Sequence, residues 1–195
     1  KARASRLLDI TGARADLVAD RAQLYLRTQH LLEQGQVEIE LAVPSQMGLG
    51  SDALMALAGA QGLAWVHEQP FEDVPSLAAA VGLGSEYALD VQAYSQGGVL
   101  LVETARAGGT APRVLRRQTL DHAQDRAWAF VLYLPRVPAG TPATLEAERL
   151  AGLLRTHSHL SPDIGRLLDA ALWPALVADD IEGFGRSLRA VQDLN

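Results

Sequence analysis

The feature that most constrains this chain is a change of period around two glycines. From 36 to 42 the residues alternate, with Val37, Ile39 and Leu41 set against Gln36, Glu38 and Glu40. Successive side chains of a strand point to opposite faces, so this spacing describes a half-buried strand. Pro44, Gly48 and Gly50 break the alternation, and residues 51–66 continue as an alanine-rich helical stretch. Strand, glycine loop and helix thus follow one another directly. Two glycines one residue apart accept positive φ and carry no side chains. Backbone N–H groups of such a loop can turn toward an anion, backed by the positive end of the next helix. By mechanism alone the pattern is weak, and a tight strand-to-helix turn with no ligand explains it more simply. The lysine-bearing phosphate loop is absent, and so is the third glycine of the dinucleotide fingerprint.

The rest of the chain reads as alternating helices and strands. Leu17, Leu24, Leu31 and Leu32 recur at helical spacing, which predicts a helix over 17–34 ended by Gly35. A short helix is expected over 76–81, ended by Gly82 and Gly84, and 87–95 leans toward helix. Gly97 and Gly98 lead into a strand over 99–103, and Gly108-Gly109 turns into another over 114–118. Residues 128–134 form a strongly apolar run and are expected as a strand. Thr141 followed by Pro142, and Ser161-Pro162-Asp163, are helix starts. Asp179 with Glu182 suggests a capping box. A mixed first part and a helix-rich second part meet near 123–127, giving expected units 1–124 and 125–195.

Composition excludes several classes. The net charge of -6 argues against a nucleic-acid face, which needs clustered cations to displace counterions. Arg113, Arg116 and Arg117 do cluster, but a solvated strand edge explains them more economically. With no cysteine, disulfides, thiolate metal sites and thiol nucleophiles are excluded. No apolar run approaches the ~20 residues that span a bilayer. These readings lead to the expectation of a cytoplasmic protein with a small-molecule substrate, no nucleic acid and no membrane. An apolar, alanine-rich chain of this kind is also suited to forming a homodimer. His30, His67, His122, His157 and His159 are too scattered for a metal set, and the 157/159 pair would diverge on a helix. Ser85 and Ser95 lack the nucleophile elbow of hydrolases.

The longer string Pro44-Ser45-Gln46-Met47-Gly48-Leu49-Gly50-Ser51, running into an alanine-rich helix, resembles the phosphate-binding motif of the GHMP kinase superfamily. That superfamily includes galactokinase, homoserine kinase, mevalonate kinase and phosphomevalonate kinase. The resemblance implies an α+β, GHMP-kinase-like two-domain fold: an N-terminal α/β domain and a C-terminal α/β sandwich, here expected to be truncated at both ends. It implies that Gly48, Leu49, Gly50 and Ser51 hold the triphosphate of ATP, with Ser51 approaching Mg²⁺. Asp52 stands where many members have a second serine. A carboxylate there repels a triphosphate unless a cation intervenes. Asp52 either helps hold metal, faces away as a first-turn helix residue, or marks a loop that no longer binds ATP.

A second constellation is Asp90, seven residues before Gly97-Gly98 and the strand that follows. In mevalonate-kinase-like members an aspartate at this spacing sits near the attacking hydroxyl, so the resemblance makes Asp90 the catalytic candidate. The chemistry fits, since a carboxylate can orient or deprotonate an acceptor hydroxyl. The family's metal-binding glutamate is matched here by Ala79, with Glu86 and Asp52 the nearby carboxylates.

Two branches compete. Residues 82–98, and the run Trp173-Pro174-Ala175-Leu176 followed by Asp180, Glu182, Phe184 and Gly185, resemble the β-ribofuranosylaminobenzene 5′-phosphate synthase branch. That branch transfers a phosphoribosyl group from phosphoribosyl pyrophosphate (PRPP) and typically has glycine where Asp90 stands. The outline leans to the synthase and Asp90 leans to a kinase. The leading expectation is therefore an ATP- and Mg²⁺-dependent kinase of a small hydroxylated metabolite such as a sugar. PRPP-dependent transfer comes second, and a non-catalytic ligand-binding module derived from the scaffold is the third class.

Overall fold

The computed structural model describes residues 1–45, 47–69, 71, 73–103, 113–120, 128–133 and 161–194. They combine helices and strands, the α+β class in general terms, and divide into two compact units. The first includes Lys1–Arg117 and the second takes the described residues from Gln118 onward. The expected boundary at 123–127, the turn at Gly108-Gly109, the helix start at Thr141 and three of the five histidines lie outside the described residues.

The first unit is built on a three-stranded sheet in the order β1-β3-β2. Strand β1 (Ala2–Arg3) pairs antiparallel with β3 (Gly35–Ile39), placing Ala2 opposite Val37. Strand β2 (Leu8–Gly12) pairs parallel with β3, with Ile10 opposite Val37 and Gly12 opposite Ile39. A parallel pair needs a crossover, and helix α1 (Ala15–Thr28) supplies it. Helix α1 stops well short of the expected end at 34. Its last turn closes at Gln29, and His30 then takes a left-handed φ of 55°, which no helix continues.

Helix α2 (Ser51–Val66) spans the expected residues and lies at the centre of the unit. Apolar residues surround it on every side, as expected of a helix packed on more than one face. Ala53, Leu57, Ala60, Leu63 and Ala64 are fully buried, together with Leu26 of α1 and Leu77 of α3 (Val74–Ala80). Helix α3 starts earlier than its apolar pattern indicates, because the Asp73 side chain accepts a hydrogen bond from the Ser76 N–H at 2.7 Å. Residues expected to lean helical form a 3-10 turn (Ser85–Tyr87) and helix α4 (Ala88–Gln96), ended by Gly97 at φ 59°. Strands β4 (Val99–Glu103) and β5 (Arg113–Gln118) pair as a separate ribbon.

In the second unit, α5 (Ser161–Leu167) continues through a π-helical stretch (Leu168–Leu172) into α6 (Trp173–Val177), and α7 (Ile181–Asp193) packs back on it. The cap of α7 is Asp180, one residue later than expected, and it accepts from the Gly183 N–H at 2.9 Å. Asp179 instead takes the left-handed turn position, φ 58°, and accepts a hydrogen bond from the Trp128 indole N–H. The Trp128 ring meets Phe184 edge-on at 5.1 Å. Residues 128–133 do not form the expected strand: among the described residues no neighbouring strand is bonded to them, and their apolar side chains stay largely exposed.

Candidate functional site

The glycine loop and Asp90 meet. Gly50 is the N-cap of α2 in the left-handed conformation, φ 60° and ψ 22°, and no side chain caps the helix. A Cβ placed on Gly50 would run into the Asp90 carboxylate, with the Asp90 Cγ only 2.9 Å away. Asp90 lies in the first turn of α4. Residues forty apart in sequence are therefore juxtaposed by the packing of α4 on α2. Gly48 is also left-handed, φ 70°, and a Cβ there would meet nothing within 4 Å. The backbone at that position is open to an approaching group. Leu49 is half-buried between the two glycines.

Ser51 is buried at the head of α2 and Asp52 follows it. Both are engaged by Arg14, a residue that sequence reasoning overlooked. Its guanidinium donates to the Val43 carbonyl at 3.1 Å and to Ser51 Oγ at 3.0 Å, and forms an ion pair with Asp52. Ser51 Oγ in turn donates to Asp52 Oδ1 at 3.3 Å. The route to this arrangement is local. Gly12, at φ 104°, ends β2 so close to the Ile39 carbonyl that no Cβ would fit. Arg14 then adopts φ 61° as the N-cap of α1. Positive φ is uncommon for a residue of this size and marks a position fixed by its surroundings. A lone arginine after an apolar alternation carries no motif, so only the fold reveals it.

The charges are uneven. Burial, and secondly the nearby Asp52 carboxylate, push the Asp90 carboxyl above its usual range. A poorly solvated carboxylate that holds a proton more tightly is a better base once ionised. Tyr94, one turn beyond Asp90, is raised by burial, and its hydroxyl donates to Gln61 of α2.

The metal candidates fare differently. Magnesium favours a few carboxylate ligands plus substrate phosphates. Asp52 is already paired with Arg14, so a cation would have to compete with the guanidinium to use it. Ser51 Oγ keeps a lone pair beyond the bond it accepts from Arg14. Ala79 is exposed on α3, and Glu86 is exposed on the 3-10 turn. Among the described residues no group of three or more His, Asp or Glu side chains gathers in a metal-binding arrangement. No helix among them is long and apolar enough to cross a membrane. No family model, curated protein or solved structure matches the chain.

Proposed function

We propose that the chain is an ATP-dependent phosphotransferase of the GHMP kinase type, acting on a small hydroxylated acceptor and built on that superfamily's two-domain fold. The observation that carries this reading is the contact between Gly50 and Asp90, which puts a candidate base against a loop suited to phosphates. Gly48, Leu49, Gly50 and the head of α2 would supply backbone N–H groups to the triphosphate. Mg²⁺ would arrive with ATP as part of the substrate, and the Ser51 hydroxyl would be available to it as a ligand. Arg14 offsets the Asp52 charge, which otherwise would oppose polyphosphate binding.

In the reaction the acceptor oxygen forms a bond to the γ-phosphorus while the bond from that phosphorus to the β,γ-bridging oxygen breaks. The acceptor proton passes to the Asp90 carboxylate, and ADP carries away the bonding electron pair.

Calorimetric titration with Mg-ATP and, separately, with Mg-PRPP tests the donor. ATP binding that is lost in Gly50→Ala, with Asp90→Asn retaining binding but losing at least about a hundredfold in turnover, supports the kinase. Preference for PRPP would move the chain to phosphoribosyl transfer, and an unchanged rate in Asp90→Asn would remove Asp90 from the chemistry.

A further inference from the structure

Beside the candidate site lies an open cleft of ≈ 780 Å³ within the first unit. That volume is in the range of small-molecule pockets. One wall is a stripe of α2 that includes Leu54, Met55, Ala58 and Val66, faced by Ile39 of β3 and by Tyr94 of α4. Leu54 follows Gly50 by four residues, and Tyr94 follows Asp90 by four. Residues four apart on a helix share a face, so the cleft opens one turn from the Gly50–Asp90 contact. The Tyr94 hydroxyl is fixed by Gln61, leaving its ring as an apolar wall. The charged residues of the lining, Lys1, Glu38 and Glu40, belong to the sheet side, where Lys1 and Glu40 form an ion pair. The side nearest Asp90 is uncharged. From Leu54 to Val66 the stripe extends about 18 Å along the helix axis.

Resting on the kinase reading, we infer that this cleft receives the apolar body of the acceptor. The substrate class is then an alcohol with a hydrocarbon portion, its hydroxyl reaching Asp90 and its chain lying along α2, and not a bare polyol. A sugar would leave the apolar wall wet and gain nothing from it. An aliphatic chain would lose water from its own surface and from Leu54, Trp65 and Val66 together.

The test uses the intact protein and a series of linear primary alcohols from butanol to octanol, with glycerol as the polar control. Binding is followed by calorimetry, and phosphorylation is followed in the presence of Mg-ATP. Each added methylene should tighten binding about three- to fourfold. Ala58→Glu places a charge on the cleft wall at an exposed position, where the fold tolerates it, and should abolish the chain-length dependence. Asp90→Asn should keep alcohol binding and lose phosphorylation. Chain-length-dependent binding without phosphorylation by the native protein would sustain the cleft and overturn the kinase reading. Phosphorylation of glycerol as good as that of octanol, and insensitive to Ala58→Glu, would overturn the cleft and leave the kinase. Absence of any chain-length dependence overturns the assignment of the cleft.

Discussion

Gly50 meets two demands at once, a left-handed backbone at the head of α2 and an empty space for the Asp90 carboxylate. Alanine satisfies neither. Gly50→Ala should cost about 1–2 kcal/mol through the backbone alone, read by urea unfolding. It should also swing the Asp90 side chain away, so ligand binding falls further than stability. At Asp90 the raised pKa has a definite sign. The folded state favours the neutral acid, so its contribution to stability is full below the unfolded pKa and is lost as pH rises through the higher folded value. Asp90→Asn should therefore be slightly more stable than the native protein at neutral pH, read by urea unfolding. The difference should vanish in acid. The activity profile carries the complementary sign, with turnover rising as Asp90 ionises. Asp52→Asn removes a like charge and leaves the Arg14 charge uncompensated, so it should move the acid limb of the rate profile to lower pH.

Among the elements, α2 is the one on which the rest of the first unit depends. It touches β1, β3, α1, α3 and α4, and Leu57 at its centre is fully buried. Leu57→Ala should cost about 2–5 kcal/mol through lost burial and a residual cavity, visible as an earlier denaturant midpoint. This helix and the strand before it were legible because period and punctuation agreed: alternation from 36, glycines at 48 and 50, then alanine and leucine. The strand was expected to reach 42, but β3 ends at Ile39 and leaves Leu41 exposed. Helix α1 was over-extended because Leu31 and Leu32 continue its apolar spacing, while the left-handed turn at His30 leaves no mark in the sequence. Strand β2 went unpredicted although Leu8 and Ile10 alternate with Asp9 and Thr11: only two apolar positions carry the period, against three in the run from 36 to 42. For the site, Gly48, Gly50 and Asp90 could be nominated only through the family resemblance, and the meeting of Gly50 with Asp90 is a product of how α4 packs on α2. Arg14 belongs to neither spacing pattern. Residues 128–133 illustrate the opposite error, since β-type composition expresses itself as strand only where a neighbour supplies the ladder.

At the scale of the whole molecule, apolar surface is left in view at several places. Val131 is 93% exposed, with Phe130, Leu132 and Tyr133 exposed beside it. A β-prone segment of this kind promotes self-association. Val131→Lys should lower light scattering of concentrated solutions, with the unfolding midpoint within the small range usual for exposed positions. The joining of Arg14 to Asp52, and of Gly50 to Asp90, has a further consequence for how the protein matures. Each contact links segments nearly forty residues apart, and each requires the crossover of β2 and β3 or the docking of α4 to be complete. Long-range contacts form late because the chain must first close large loops. During refolding, helical signal should therefore recover before any capacity to hold a ligand. A newly made chain would stay inert through its formative stages and become competent only when segments some forty residues apart had met.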